Sequence, residues 1–210
     1  MDKVLDELYT DLRVIRTKES IRNALVELIE EKGFEAITVK DIAAKARINR
    51  GTFYAHYVDK NDLMNKCQEN ILNNIKGIVT NKIPVAIEEL NKNKAPNHDA
   101  FAPAISILEY LYANRELIRA LLGPKGDVTF QTMLKHLMWK ILFEDNEIPT
   151  FNKEKLLVPG EYLVSYIASA HVGVIQQWLD GDCQESPLEM ARILSTITLN
   201  GPIYAAGLKK

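Results

Sequence analysis

The sequence lacks the residue patterns that are typical of metal sites, disulfide frameworks and membrane spans. Its 210 residues include two cysteines, Cys67 and Cys183, and no CxxC, HExxH, Walker or GxSxG motif. No apolar run approaches the ~18 residues that cross a bilayer, and no signal-peptide apolar stretch follows the first residue. These absences predict a cytoplasmic protein with reduced thiols, and no metal, cofactor, catalytic residue set or membrane partner. The chain is therefore not expected to be an enzyme.

Charge is distributed unevenly along a chain of otherwise ordinary composition. Hydrophobic residues make up 47% and charged residues 26%, as in a folded globular protein. The net charge is −2, but the segment 38–60 carries five basic and two acidic residues, so the segment is +3 and the remainder is −5. A basic module on an acidic body suits a protein that places one surface on phosphates.

Helical periodicity runs through nearly every segment, and no segment alternates with the period of two that is typical of a strand. We therefore predict an all-α fold with an N-terminal three-helix helix-turn-helix domain at 1–62 and a C-terminal helical domain at 63–210. Proline and glycine predict the helix ends. The expected helices are a lead-in at 1–16, then 21–32, 59 to about 84, 103–113, 114–122, about 130–141, 153–179 with a bend near 159–160, and 187–200. The polar tract 91–99 predicts a loop.

The segment from Thr38 to Lys60 has the layout of a helix-turn-helix. Thr38 and Asp41 form a capping box ahead of a first short helix. The connection at 47–49 is too short for a strand, and Asn49 can cap a second helix. The exposed face of that helix presents Asn49, Arg50, Thr52 and His56. This layout predicts that the second helix enters a DNA major groove.

The run from Gly33 to Leu63 resembles the DNA-binding domain of the TetR family of bacterial transcriptional regulators. The matching positions are Thr38, Ile42, Ala43, Ala46, Gly51, Thr52, Tyr54, Tyr57, Lys60 and Leu63. The resemblance implies that Thr38, Lys40, Tyr54 and Lys60 contact phosphates. It also implies that Asn49, Arg50, Thr52 and His56 lie nearest the base edges, with Gly51 between them and Tyr57 in the core.

Arg47 departs from the family pattern, which usually has glycine in the turn between the two helices. A left-handed backbone at this position costs a non-glycine residue roughly 1 kcal/mol. Two explanations follow from the sequence: either the turn is relaxed, or Arg47 gains free energy elsewhere by contacting a phosphate.

The C-terminal half carries two helical stripes that suggest an interface. Ser165, Ser169 and Gly173 recur every four residues, which allows another helix to approach closely. A helix-turn-helix protein generally dimerises to read two half-sites, so we expect a four-helix homodimer interface. Its second helix would contribute Leu188, Ala191, Leu194 and Thr198. Burial of both faces within one chain is the alternative.

Bulky or polar residues on expected inward faces are candidates for a ligand site. They are Tyr110, Phe130, Met133, Trp139, Tyr166, His171 and Trp178. A histidine on an apolar stripe is more often a satisfied core residue than a ligand contact. The segments 110–130 and 165–179 are also similar to the C-terminal domain of the dihydroxyacetone-kinase-regulator type within the TetR family.

Together these features predict a homodimeric regulator that represses a palindromic double-stranded DNA operator and is released by a small-molecule effector in the C-terminal domain. The alternative is an activator controlled by a protein co-regulator, which a C-terminal core without a cavity would favour. A helical enzyme or carrier is a third possibility, against which stands the absence of a convergent catalytic set. The effector, the operator and the regulated genes are not encoded in these patterns.

Overall fold

The computed structural model describes residues 2–92, 102–127, 129–144 and 153–208, and within these ranges the chain forms helices and no strands. The all-α prediction is therefore confirmed. The expected loop at 91–99 lies outside the described residues from position 93 onward, and the residues at 91 and 92 are helical.

Between residues 2 and 92 the chain forms four α-helices and a short 3-10 turn. Helix α1 spans Asp2–Lys32, and the 3-10 turn spans Phe34–Ala36. Helix α2 spans Val39–Lys45 and helix α3 spans Arg50–Tyr54. Helix α4 spans Lys60–Lys92.

The described residues of the second half form five α-helices. Helix α5 spans Ala102–Ala113, α6 spans Arg115–Leu122 and α7 spans Thr129–Trp139. A π-helical segment at Lys140–Glu144 continues α7, and a 3-10 turn spans Lys153–Lys155. Helix α8 spans Gly160–Asp180, and α9 spans Pro187–Ala205 with a kink at Gly201.

Three expected helix boundaries are wrong. The predicted lead-in helix and the helix from Ile21 are one helix, α1, because no glycine or proline interrupts 16–20. Helix α4 continues past Pro84 to Lys92, since an internal proline removes one hydrogen bond without necessarily ending a helix. Helix α8 begins at Gly160 instead of Lys153, with Pro159 as its N-terminal cap residue.

The chain divides into two compact units. The N-terminal unit comprises Met1–Asn70 together with Gly123–Asp127, and the C-terminal unit comprises Ile71–Leu122 and Val128–Lys210. This division differs from the sequence-based boundary at 62/63 because the first turns of α4 and the loop 123–127 pack in the N-terminal unit. Helix α4 contributes residues to both units.

Each unit has its own apolar core. In the N-terminal unit, Ile21, Leu25, Ile42, Phe53 and Leu63 are fully buried. These side chains come from α1, α2, α3 and α4, so burial of one core fixes the two short helices α2 and α3. In the C-terminal unit, α5 packs on α9 and α7 packs on α8.

Candidate nucleic-acid interface and ligand cavity

Helix α2 begins with the capping box that the sequence predicts. The Thr38 hydroxyl accepts a hydrogen bond from the Asp41 backbone N–H at 3.2 Å, and the Thr38 N–H donates to Asp41 Oδ2 at 2.9 Å. Lys32 Nζ lies 2.8 Å from Asp41 Oδ2. The Lys32 ammonium and the Thr38 donors hold the pKa of the Asp41 carboxyl well below its usual range. The position of α2 on α1 is therefore fixed by polar contacts as well as by the core.

The turn after α2 is a Schellman motif with Arg47 at the position where glycine is usual. Arg47 has φ 55°. Its N–H donates to Ala44 O at 3.2 Å, and the Ile48 N–H donates to Ala43 O at 3.0 Å. These bonds satisfy the last carbonyls of α2 and require the left-handed backbone. The relaxed-turn explanation is therefore wrong. Arg47 adopts the left-handed backbone and bears the steric cost that this backbone has for a non-glycine residue.

Helix α3 is one and a half turns long and is capped by Asn49. Asn49 Oδ1 accepts from the Thr52 N–H at 2.7 Å and from the Thr52 hydroxyl at 3.1 Å. A Cβ at Gly51 would lie 3.2 Å from the same oxygen, which is tight for a capping oxygen that already has two donors. Gly51 therefore serves the cap through its small size, and its φ is not in the left-handed region.

Two lysines of α4 donate hydrogen bonds to backbone carbonyls on either side of the helix-turn-helix. Lys60 binds the turn before α2, and Lys66 binds the segment after α3. Lys60 Nζ donates to Phe34 O at 3.0 Å and to Glu35 O at 2.9 Å, and it lies 4.8 Å from the centre of the Phe34 ring. Lys66 Nζ donates to His56 O at 3.3 Å. The sequence pattern gave no sign of these roles, because both acceptors are backbone carbonyls that only the folded chain brings near.

The structure separates the basic residues into paired and unpaired groups. Lys45 forms ion pairs with Glu27 at 2.9 Å and Glu31 at 2.5 Å, so it supports α1. By contrast, Lys40, Arg47 and Arg50 are exposed and take part in none of the ion pairs among the described residues. These three cations lie on α2, on the turn and at the start of α3.

The remaining predicted DNA contacts lie on the same short stretch. Tyr54 is 53% exposed, with its ring edge-on to the buried Phe53 at 5.6 Å. His56 is half-buried beside Tyr57. Tyr57 itself is buried, and burial raises the pKa of its phenol, which agrees with the expected core position.

The loop 123–127 belongs to the N-terminal unit, a feature that sequence reasoning missed. Phe34 N–H donates to Lys125 O at 3.1 Å, and Lys125 Nζ donates to Glu30 O at 2.8 Å. Gln68, which is fully buried, donates through Nε2 to Asp127 Oδ2 at 3.1 Å. The loop joins α6 to α7 along the chain, so it connects two helices of the C-terminal unit.

The C-terminal unit contains a cavity of about 270 Å³. Seventeen described residues line it, of which sixteen are apolar and one is His171. They come from α4, α5, α6, α7, the π-helical segment and α8. Among the sequence-predicted ligand residues, the cavity lining includes Phe130 and His171.

The other five predicted ligand residues are not part of this lining. Trp178 is 3% exposed, stacks on Tyr112 at 6.0 Å and donates through Nε1 to Glu185 O at 2.9 Å, so it closes the end of α8. Tyr166 is 57% exposed, since it lies on the outer face of α8. Trp139 packs against Phe143 at 4.7 Å and borders a separate surface hollow. Tyr110 and Met133 are half-buried away from the cavity lining.

His171 is the polar residue of the cavity wall. Its Nε2 lies 2.8 Å from Thr198 Oγ1 on α9. Burial lowers the pKa of the His171 imidazole, which favours the neutral ring. The interpretation of His171 as a histidine with a satisfied ring nitrogen agrees with this contact.

The predicted interface residues divide between surface and core. Ser165, Ser169 and Gly173 are exposed on α8, and a Cβ at Gly173 would meet nothing within 4 Å. Ala191 and Leu194 are buried, at 0% and 8% exposure, so the prediction that they face a partner is wrong. The reason is that α9 packs this face on α5 of its own chain. Leu188 is half-buried and Thr198 is exposed.

The described residues contain neither a metal-binding cluster nor a membrane-spanning helix. No group of three or more His, Cys, Asp or Glu side chains there could hold a metal ion. In the same ranges, none of the helices has the length and apolar character that crossing a membrane requires.

Comparison with protein families identifies both parts of the chain. Residues 21–67 match the model described as bacterial regulatory proteins of the tetR family. Residues 99–200 match a model of that family's C-terminal part, described as a transcriptional regulator C-terminal region.

Relatives and solved structures agree with this match. YxbF of Bacillus subtilis, a helix-turn-helix-type transcriptional regulator, is 41% identical over 59 residues, which is 28% of this chain and 16% of YxbF. The curated relatives that match are covered over 16–55% of their own lengths. NalD of Pseudomonas aeruginosa, the secondary repressor of a multidrug efflux pump, superposes with a TM-score of 0.59 at 18% identity, over 90% of this chain and 97% of NalD.

A regulator of the dihydroxyacetone-kinase type is also similar in structure. DhaS, a dihydroxyacetone kinase operon activator, superposes with a TM-score of 0.51 at 18% identity, over 88% of this chain and 94% of DhaS. At this identity the likeness concerns the fold alone.

Proposed function

This chain belongs to the TetR family of bacterial transcriptional regulators, and from that premise we propose that it is a homodimeric repressor of a palindromic operator, released by a small-molecule effector. The single observation that carries the DNA-binding part is the line of exposed cations Lys40, Arg47 and Arg50 along α2, the turn and α3. A cation without a neighbouring carboxylate is available to bind a DNA phosphate. This binding releases the counterions that are condensed on the DNA.

The proposed DNA contacts fall into two groups. Thr38, Lys40, Arg47 and Tyr54 would bind phosphates and set the register of the protein on the duplex. Arg50, together with Asn49, Thr52 and His56, would approach the base edges, since these residues lie on or beside α3. Lys60 is proposed to act by holding the first turn of α4 on the turn at 34–36, because its ammonium already has two backbone acceptors.

The proposed dimer interface uses the exposed face of α8 and the outward face of α9. Tyr162, Tyr166 and Ser169 are exposed on α8 at helical spacing, and Gly173 continues the row. On α9 the exposed apolar residues are Ile193, Leu199 and Ile203. A symmetric pair of such faces would give the two α3 helices the spacing that a palindromic operator requires.

The proposed effector site is the cavity of the C-terminal unit. The alternative, an activator controlled by a protein co-regulator, was expected to show a C-terminal core without a cavity. A void of about 270 Å³ therefore favours a small molecule. Helix α4 contributes residues to both units, and the loop 123–127 of the N-terminal unit is joined along the chain to α6 and α7 of the C-terminal unit. Both segments therefore offer covalent routes for coupling.

The test is the salt dependence of binding to DNA from upstream of the protein's own coding gene. We expect the affinity to fall steeply as salt rises, with a stoichiometry of one dimer per palindrome. Lys40→Met should lower the affinity and reduce the slope of log affinity against log salt by about 1, since Lys40 is a proposed phosphate contact.

Lys155→Met serves as a matched control, because Lys155 is an exposed lysine of the C-terminal unit. It should leave both the affinity and the slope unchanged. Wild-type protein that remains folded but binds this DNA without salt dependence would contradict the proposal.

A further inference from the structure

The cavity of the C-terminal unit is large for a protein interior. Close-packed cores leave few voids that exceed one water molecule, whereas this cavity measures about 270 Å³. Its wall includes fully buried residues of three helices, Ile118 on α6, Phe130 on α7 and Ala168 on α8. The space is therefore bordered by core residues of several helices.

The described part of the wall contains no acidic or basic side chain that could neutralise a charged ligand. None of the described lining residues is Asp, Glu, Lys or Arg. Burial lowers the pKa of the His171 imidazole, so the site disfavours a positive charge on this ring. A carboxylate or an ammonium would therefore lose its hydration on entry without gaining a counter-charge. An uncharged molecule does not have this cost.

His171 can form one hydrogen bond to such a molecule. Its Nε2 is engaged with Thr198 Oγ1 at 2.8 Å. Among the described residues Nδ1 has no hydrogen-bond partner, so this ring nitrogen is left for a second one. A neutral imidazole has one donor nitrogen and one acceptor nitrogen. If Nε2 donates to Thr198, Nδ1 is an acceptor; if Nε2 accepts from Thr198, Nδ1 is a donor. Every other lining side chain of the described part of the wall is apolar.

The cavity volume limits the size of the occupant. An apolar cavity of ~150 Å³ accepts benzene, so a void of about 270 Å³ accommodates by proportion roughly 11 non-hydrogen atoms. This size corresponds to a two-ring aromatic molecule or to a medium-length alkyl chain.

We propose that this cavity binds an uncharged, largely apolar molecule of about this size that carries one hydrogen-bonding group, and that the imidazole of His171 binds that group. The proposal rests on the proposed function, since it names the chemical class of the effector. It also gives His171 a role in ligand specificity, in addition to its hydrogen bond with Thr198.

The experiment uses the full-length protein and four naphthalene derivatives that differ in one substituent. 1-Naphthol is neutral with a hydroxyl, 1-methylnaphthalene is its apolar isostere, 1-naphthoate is an anion and 1-naphthylmethylammonium is a cation. Binding is measured by calorimetry and by probe fluorescence at pH 7.5 without DNA. We expect 1-naphthol to bind about fivefold more tightly than 1-methylnaphthalene, the worth of one net hydrogen bond, and the two ions to bind at least tenfold more weakly than either.

Variants separate His171 from the rest of the wall. His171→Phe keeps a ring of similar size and should equalise the affinities of 1-naphthol and 1-methylnaphthalene. His136→Phe, the same substitution at an exposed histidine of α7, should preserve the fivefold difference. Ala168→Leu fills the cavity and should remove binding of both neutral probes. Leu137→Phe, at a half-buried lining position, repeats this test if Ala168→Leu lowers the thermal midpoint.

The outcomes distinguish this inference from the proposed function. Tighter binding of either ion, equal affinity of the two neutral probes for the wild-type protein, a difference that survives His171→Phe, or no binding of any probe to folded protein would overturn the inference. The expected pattern supports it, whether or not DNA binding responds. If 1-naphthol binds as expected but leaves operator affinity unchanged, effector release fails and the ligand class stands.

Discussion

The two units of this chain end a helix in the same way but support the strained residue differently. Arg47 after α2 and Asp182 after α8 both occupy the left-handed position of a Schellman motif, at φ 55° and 56°. The Asp182 carboxylate accepts a hydrogen bond from Arg119 Nη2 at 3.0 Å, and the same nitrogen donates to Leu179 O. Arg47 has no such partner among the described residues. The comparison shows that the strain at Asp182 is accompanied by a tertiary contact, whereas the strain at Arg47 is not.

A second difference concerns what fills the two interiors. The N-terminal unit closes its short helices with side-chain caps and packs Phe53, Ile42 and Leu63 at 0% exposure. The C-terminal unit leaves a cavity of about 270 Å³ between its helices, continues α7 into a π-helical segment and kinks α9 at Gly201. Helical irregularities of this kind are frequent at functional sites. The N-terminal unit therefore has a closely packed core that supports α2 and α3, whereas the core of the C-terminal unit borders a cavity.

The largest expected effect comes from truncating one buried phenylalanine in each unit. Phe53→Ala should destabilise the protein by about 3–5 kcal/mol, because its ring is enclosed on all sides. Phe130→Ala should cost about 1 kcal/mol less, since the face of Phe130 that borders the cavity has no packing partner to lose. Urea denaturation followed by circular dichroism measures both values. An equal or greater cost for Phe130→Ala would mean that the two interiors are packed alike.

A smaller effect is expected from removing the same capping hydroxyl in each unit. Thr38→Ala and Ser186→Ala each remove a side chain that accepts from the third helical N–H, at 3.2 Å in α2 and 3.3 Å in α9. Each should cost about 1 kcal/mol of stability. Thr38→Ala should also weaken operator binding at least tenfold, because α2 carries Lys40 and precedes α3.

Ser186→Ala is the matched control for this prediction, and it should leave operator affinity within twofold of the wild type. Thermal unfolding and fluorescence anisotropy with operator DNA measure the two quantities. If both variants reduce operator affinity equally, the caps affect DNA binding through overall stability and not through the geometry of α2.

The smallest expected effect is stabilising. Arg47→Gly should raise the free energy of unfolding by roughly 0.5–1 kcal/mol, because glycine adopts the left-handed backbone without steric cost. The same change should lower operator affinity and reduce the salt slope by about 1, since the proposed phosphate contact is lost. Asp182→Gly is the comparison variant in the C-terminal unit. It should stabilise less than Arg47→Gly, because it also removes the hydrogen bond from Arg119.

A more stable Arg47→Gly protein with unchanged operator affinity and salt slope would show that Arg47 does not contact a phosphate. Unchanged stability would show instead that the turn tolerates arginine without strain.

Features that depend on neighbours along the chain could be predicted from the sequence. The capping box of Thr38 and Asp41, the Asn49 cap and the all-α class follow from residues within about four positions of one another. The left-handed turn at Arg47 was predicted for the same reason, as one of two possibilities. These features depend on hydrogen bonds between near neighbours and need no distant contact to specify them.

The tertiary structure alone decided which faces are inside. Lys60 and Lys66 donate to backbone carbonyls up to 26 residues away, and Lys125 reaches Glu30 across 95 residues. Apolar spacing marks Ala191 and Leu194 as one stripe, but it does not say whether α5 or a second chain covers that stripe. The cavity around His171 is likewise a property of how six segments pack together, because an empty volume has no residues of its own and so leaves no pattern in the sequence.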